Sequence, residues 1–515
     1  MMTRFTAGVV MLSWAACALY PLGLLLTTTP TDFAFLRTAF EVGDCGVTEW
    51  HPLVVMSGHL QYLERILALT ALSLAGLGLG LLRAGWPQRW QVFREASVAC
   101  GQICRAWRRL SAGQRQGLAI GLLVLSGLRL GLSFWLAPED DACSYRLFVR
   151  QPLLLISSCY PIPNNHVLSN SISRVFYLLH PSFWWSMRLP VLLLGVVGTC
   201  GWYLLLLVRT TFRVAALAVG IFSCLQLSLY NSAQGRGYCL LLALSGLGFC
   251  TILALSAPRG SRGQQLPWVV LAIVGPLGLY TVPTFAYFLF SGYSWLVGWW
   301  LVRRAWGTLA QGGVLLGGTL LAATLLYAPL LLVSGVETLR HNRYVRPASD
   351  VAAYWRRLPA ELWVMEGRLT VEKHVGGVLV LLVIALVLFK RNWRAAGRRL
   401  ALPSALPLLS LWCTVSPYLL MVAQRVRAPE RTLLYKSQIF FLLLALVIEQ
   451  LLLRREAAGA RRQVHWLWLL LSAWLLLQFM LLYRLNESVR AYGEPPGLAA
   501  THLPSTAVFL LHPNL

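Results

Sequence analysis

Residues 118–141 read LAIGLLVLSGLRLGLSFWLAPEDD. From Leu118 to Leu136 the only charge is Arg129, and the run is long enough to cross a hydrocarbon core about 30 Å thick as a helix. Pro138-Glu139-Asp140-Asp141 follows at once, three consecutive carboxylates in a chain with 19 acidic residues in all. Comparable apolar runs recur along all 515 residues, which are 57% hydrophobic and 12% charged. A soluble protein carries about 25% charged residues. The weak alternating segments of about 10 residues that mark a β-barrel are absent. The chain therefore reads as an all-α polytopic membrane protein.

About thirteen spans are expected, over 7–27, 59–82, 117–136, 189–208, 214–230, 238–256, 267–283, 285–302, 309–333, 375–389, 404–423, 437–453 and 464–483. Ala7–Leu26 is long enough to stay as an anchor and lacks a small-residue exit, so no cleavable signal peptide is expected. The net charge of +25 would suggest nucleic acid for a soluble protein. Here it follows the positive-inside rule, and no nucleic-acid partner is expected. Placing the N-terminus in the cytoplasm puts the arginine-rich connections inside. The stretch Arg83 to Arg115 alone holds seven arginines and one acid, Glu95. The same parity puts the acidic stretch on the outer, periplasmic face of the cell inner membrane. Residues 1–116 then form a pair of spans with a basic cytoplasmic linker, 117–483 the main membrane body, and 484–515 a short outer tail in which Ser505–Leu511 has strand character.

Two outer connections are long. In 137–188, Val167, Leu168, Ile172, Val175, Phe176 and Leu179 recur at helical spacing. In 334–374, a helix is expected over Asp350–Leu362, ending near Pro359, among basic residues from Arg340 to Lys373. So basic an outer loop calls for an anionic partner, either membrane lipid headgroups or a phosphorylated substrate.

Four groups of residues bear on chemistry. Asp140 and Asp141 read either as solvated acids at a helix exit or as an acid/base pair. Tyr160-Pro161-Ile162-Pro163-Asn164-Asn165-His166 is a dense polar cluster in the same connection. The tight turn Asn231–Tyr238 carries Arg236 between two glycines, which allow close approach of a backbone or a phosphate. Gln424–Tyr435 carries Arg425, Arg427 and Arg431, either an interfacial basic belt or a bidentate clamp for phosphate. Arg129, inside a span, is a snorkelling residue, a member of an ion pair or a functional charge. Most of the eleven cysteines sit in apolar runs as small hydrophobes. Cys143 and Cys159 are candidates for pairing in an oxidising compartment. Cys100 and Cys104 have no partners for zinc, and no metal ligand set is visible.

In this order on one face, the residues resemble the GT-C superfamily of polytopic glycosyltransferases. That group includes the protein O-mannosyltransferases, the lipid A aminoarabinose transferase and a bacterial family 39-like branch. Asp140-Asp141-Ala142 with Tyr145 resembles its acidic pair, with Asp141 in place of the common Glu. Tyr160–Leu168 and then Arg188-Leu189-Pro190 resemble the continuation of that loop. Gln234-Gly235-Arg236-Gly237-Tyr238 resembles the family's "ARxY" turn, with Gly235 in place of alanine. Pro429–Tyr435 resembles its late arginine motif. The resemblance covers about residues 117–450 and leaves out the N-terminal pair of spans.

It implies a GT-C-type bundle whose outer loops carry the site, and transfer of a sugar from a polyprenyl-phosphate donor to a glycan, lipid or protein acceptor, with inversion. Asp140 would be the general base, with Asp141 orienting the acceptor or sharing the proton. Arg236, Arg425 and Arg431 would neutralise the leaving phosphate. His166, Asn165, Tyr160 and Tyr238 would line the substrate site. This chemistry needs no cofactor, and a divalent metal is neither required nor excluded. Three other readings compete: a lipid-linked glycan ligase or polymerase, a transporter or flippase of an anionic lipid or glycan, and a pseudoenzyme that binds lipid-linked sugar as a scaffold. The first lacks an acidic pair behind an early span. The second favours broken helices and internal repeats, and no repeat is visible in the sequence.

Overall fold

A computed structural model describes residues 2–29, 31–32, 64–65, 67–68, 71–72, 75, 89–138, 140–160, 165–257, 265–333, 336, 347–372, 376–389, 405–456 and 464–492. Among these there is no strand. Seven described helices are long and apolar enough to span a membrane: Ala112–Trp135, Trp184–Arg209, Tyr238–Leu255, Pro283–Val302, Trp306–Leu326, Leu406–Gln424 and Glu430–Leu452. A bent pair, Phe212–Ser223 and Gln226–Ala233, makes an eighth if it counts as one span. The expected thirteen are thus not reached among the described residues. The expected span 59–82 lies almost wholly outside them, as do Glu139, Pro161–Asn164 and the candidate strand Ser505–Leu511.

Each helix has a local cause. Ser111 opens Ala112–Trp135 with a capping box, its hydroxyl accepting from Gln114 N while the Gln114 side chain accepts from Ser111 N. The basic helix Arg89–Arg108 is fastened to the bundle by Glu95, whose Oε2 accepts from Gln265 N and Leu266 N at 2.7 and 2.8 Å. That carboxylate caps the N-terminus of Leu266–Thr281, where the helix dipole favours a negative charge. The amphipathic run expected in the first long connection is the helix Val167–Leu179. The second long connection corrects its expectation. Asp350 caps Val351–Thr370 by accepting from Ala353 N, and the helix runs straight through Pro359. The carbonyl that Pro359 cannot serve belongs to Trp355, a half-exposed position where solvent can serve it instead. The C-terminal helix likewise passes Arg484 and ends at Tyr492.

Lipid tails are as apolar as leucine, so packing and hydrogen bonds must hold such helices together. Aromatic side chains interlock the centre, with Phe288 edge-on to Tyr435 at 5.5 Å and Trp268 stacked on Trp300 at 5.7 Å. Hydroxyls bridge helices: Ser416 donates to Ser291 at 2.7 Å, and Trp412 Nε1 donates to Ser294 at 2.9 Å. The N-terminal helix Met2–Thr27 joins this bundle through Trp14 Nε1, which donates to Gly318 O at 2.7 Å.

The feature that positions the site is the break at Cys224-Leu225, expected as a continuous span over 214–230. The helix axis turns by 68° there. The backbone N–H opened at Gln226 is met by Gln478 Oε1 from the C-terminal helix at 2.8 Å. Non-helical backbone at membrane depth persists only when buried and satisfied in this way. The short helix beyond the break, Gln226–Ala233, delivers the turn Gln234–Gly237 to one end of the bundle.

Candidate active site

Asp140 and Asp141 open a short helix, Asp140–Ser144. Consecutive helical side chains diverge by about 100°, so two neighbouring carboxylates cannot share an environment. Asp141 turns inward to complete burial, whereas Asp140 keeps 24% of its side chain exposed.

Asp141 Oδ2 accepts from Arg188 Nε at 2.9 Å and from Gly235 N at 3.3 Å, and its Oδ1 accepts from Ala142 N at 3.1 Å. Arg188 Nη1 donates to the carbonyls of Ser133 and Leu136, at 2.5 and 3.0 Å. These carbonyls end Ala112–Trp135, where the last turn has no intrahelical donors. Asp141 is therefore the knot that ties one span's end, the start of Leu189–Arg209 and the Gln234–Gly237 turn together.

Gly235 is required at that knot. A Cβ there would lie 2.6 Å from Met187 Cβ and 2.9 Å from its backbone carbonyl group. Glycine at this position thus has a steric reason.

Asp140 faces the other way and meets cations. Its Oδ2 accepts from Arg236 Nη1 and lies 3.3 Å from Arg431 Nη1. Arg236 is buried, with its guanidinium over the Tyr238 ring at 5.2 Å and its Nη2 3.2 Å from His166 Nε2. A guanidinium has no acceptor, so His166 Nε2 must accept and the imidazole is neutral with its proton on Nδ1. Burial first, and then the charges of Arg236 and Arg431, hold this imidazole well below the usual 6.5. His166 also packs edge-on to Tyr238 at 5.1 Å.

The structure thus brings Asp140, Arg236, Arg431, His166 and Tyr238 into one constellation, with Asp141 directly behind it. Tyr160 lies alongside, buried near Tyr238 and Arg236, and its phenol is pushed above the usual value by that burial. Asn165 has a different task. Its Nδ2 donates to Ile156 O and Cys159 O at 2.8 and 2.6 Å, and its Oδ1 accepts from Asn170, so it folds the loop. Arg425 is not brought to the acids. It ends Leu406–Gln424 in the left-handed conformation (φ 54°) with an exposed side chain, while its carbonyl accepts from Ala348 N. Arg427 is engaged by Glu430 at 3.3 Å, and Arg368 reaches the same carboxylate at 3.1 Å. Cys143 and Cys159 form no disulfide with each other, which corrects the candidate pairing.

Two further charges leave little trace in the sequence. Lys436 and Glu366 form a buried ion pair, with the ammonium 4.6 Å over the Tyr418 ring. Its one visible sign is Lys436 itself, one of three lysines in the chain, just inside an apolar run.

Among the described residues, the ion pairs around the acids join two carboxylates (Asp140, Asp141) to three guanidinium groups (Arg188, Arg236, Arg431), one more cation than acid. That arrangement suits an anionic ligand, and Asp140, which solvent reaches, is the group able to meet a hydroxyl beside it. Among the described residues no group of three or more His, Cys, Asp or Glu is arranged to hold a metal ion.

No family model and no curated protein matches this chain. Among solved structures it is similar to a crystal structure of ArnT from Cupriavidus metallidurans bound to undecaprenyl phosphate. The two share 16% sequence identity and a TM-score of 0.44, over 66% of this chain and 61% of that one. This chain thus matches less than two thirds of the length of ArnT.

Proposed function

We propose that the protein is a membrane glycosyltransferase of GT-C type that moves a sugar from a polyprenyl-phosphate donor to a hydroxyl acceptor. The observation that carries this reading is that Asp140 Oδ2 is shared by Arg236 and Arg431. The base and the anion-binding groups occupy each other. A phosphate diester entering the site competes for both guanidinium groups, because paired N–H donors match phosphate oxygens as well as carboxylate ones. As the arginines turn to phosphate, Asp140 is released to accept a proton.

The acceptor hydroxyl then attacks the anomeric carbon from the face opposite the phosphate. A new C–O bond forms, the bond from the anomeric carbon to the phosphate oxygen breaks, and the hydroxyl proton passes to Asp140. The configuration inverts. The phosphate leaves with one more negative charge, which Arg236 and Arg431 stabilise where it develops. His166 and Tyr238 keep Arg236 aimed, and Asp141 holds the turn that carries it. The arginine-rich connections argue for a cytoplasmic N-terminus and a site on the periplasmic face of the inner membrane.

The test is direct. Purified protein is incubated with labelled polyprenyl-phosphate sugars and membrane glycan, lipid or protein acceptors, comparing wild type with Asp140→Asn. Donor-dependent transfer that disappears in the variant is expected, and transfer at the wild-type rate in the variant would refute Asp140 as the base. Topology is read separately. A cysteine placed at position 139 is expected to react with a thiol reagent confined to the periplasm, and labelling only from the cytoplasm overturns the orientation.

A further inference from the structure

One turn below the Arg188 clamp, Arg129 is buried in the span Ala112–Trp135 with 3% of its surface exposed. Its Nη1 donates to Gly195 O at 3.1 Å and to Thr199 Oγ1 at 2.8 Å. Both acceptors are neutral. The titratable groups around it are the thiols of Cys200, Cys224 and Cys239, and no carboxylate among the described residues pairs with it. A guanidinium desolvated in this way lacks a counter-charge.

Beside it lies a cavity of about 30 Å³ lined by Arg129, Trp202, Ser228, Ser232 and Gln438 among others. Four residues of this lining each carry a buried polar atom without a partner: Arg129 Nε, Trp202 Nε1, Ser228 Oγ and Gln438 Oε1. Their residues are between 1% and 3% exposed. Three of the four atoms carry N–H or O–H donors. The fourth belongs to an amide whose oxygen and nitrogen are interchangeable, so it can present a donor as well. A water molecule accepts about two hydrogen bonds, which leaves donors unmet and the charge uncompensated. A small anion accepts from several donors at once and supplies the missing charge.

We propose that this cavity is a binding site for a small monovalent anion of the halide class, held by Arg129, Trp202 and Ser228 inside the membrane bundle. By this measure a water needs about 10–15 Å³, so the space admits a halide but not a phosphate ester. The anion joins three elements: Ala112–Trp135 through Arg129, Leu189–Arg209 through Trp202, and the broken-helix segment Gln226–Ala233 through Ser228. That last segment carries the Arg236 turn, so occupancy stiffens the support of the active site without taking part in transfer.

The experiment compares thermal unfolding of detergent-solubilised protein in chloride and in gluconate at equal ionic strength. A rise of about 3 °C or more in saturating chloride is expected. Ser228→Ala should raise the half-saturating chloride concentration about tenfold, since it removes one hydrogen bond to a charged group. Arg129→Met should abolish the response. Equal unfolding temperatures in the two anions, or a chloride response that survives unchanged in either variant, overturns the site. If Arg129→Met does not fold, crystals grown in bromide decide. An anomalous peak beside Arg129 is expected, and a cavity holding only water refutes the proposal. None of these outcomes touches the assignment of Asp140.

Discussion

Arg188 Nε donates to Asp141 Oδ2 across 2.9 Å, with both side chains closed to solvent. Removing one member of such a pair strands the other's charge, at a cost of about 3–5 kcal/mol. Asp141→Asn should therefore lower the unfolding temperature sharply. Asp141→Leu combined with Arg188→Met should recover part of that loss, because no charge is left buried alone. Unfolding followed by tryptophan fluorescence measures both. An equal loss of stability in Asp140→Asn would show that the two acids share one structural task instead of dividing structure from chemistry.

Asp140, about a quarter exposed and gripped by two arginines, should matter more to chemistry than to folding. Asp140→Asn is expected to lower the unfolding temperature less than Asp141→Asn does, since solvent reaches Asp140 and not Asp141, while transfer falls about 10²–10⁴-fold, the usual contribution of a general base. Donor turnover and unfolding measured on the same preparation separate the effects.

Arg431 and Arg425 divide just as cleanly. Arg431→Ala removes a guanidinium 3.3 Å from Asp140, so donor KM should rise and kcat fall. Arg425→Gly should keep both constants. Its left-handed φ of 54° suits glycine, so stability should change by about 1 kcal/mol or less. Loss of donor binding in Arg425→Gly would restore Arg425 to the clamp.

Much of this was legible in the sequence, because hydropathy and charge are local. The apolar runs, the acidic pair behind an early span and the Arg236 turn all announce themselves. What separates Asp140 from Asp141 is the 100° between helical neighbours, which adjacency in the sequence conceals. What separates Arg431 from Arg425 is one residue's positive φ, which reverses the chain between them. The break at Cys224-Leu225 is easy to miss in hydropathy, since Ser223 and Gln226 beside it interrupt the apolar run only briefly and the capping group, Gln478, comes from far along the chain. The Lys436–Glu366 pair joins a lone lysine to an acid on a distant amphipathic helix, and pairing across elements leaves no periodic signal.

His166 gives a pH dependence with a defined sign. Its imidazole is held neutral well below the usual 6.5, chiefly by burial. As pH falls through 6.5 the unfolded chain takes up a proton that the folded chain refuses, so folding loses stability, by up to about 1.4 kcal/mol per pH unit. Above 6.5 both states are neutral and the contribution is flat. The unfolding temperature of the wild type should therefore drop between about pH 7.5 and about pH 5.5 by more than that of His166→Asn. Parallel curves would mean that His166 takes up a proton as readily in the folded protein as in the unfolded chain, against its burial beside Arg236.

Gly235 supplies the sharpest steric test. Its N–H donates to Asp141, and a Cβ would come within 2.6 Å of Met187, which is itself completely buried. Contact with backbone cannot be relieved by a side-chain rotation, so Gly235→Ala must push the Gln234–Gly237 turn outward. Overpacking of this kind costs about 1–3 kcal/mol. Arg236 moves with the turn, and its bonds to Asp140 and His166 are lost together, so transfer should fall further than Arg431→Ala alone makes it fall. Gly237→Ala crowds the same constellation from the other side, since a Cβ there meets His166 Nδ1 at 2.8 Å. Donor turnover in the two variants, set beside their unfolding temperatures, is the measurement. Wild-type turnover in Gly235→Ala would mean that the turn is not what aims Arg236.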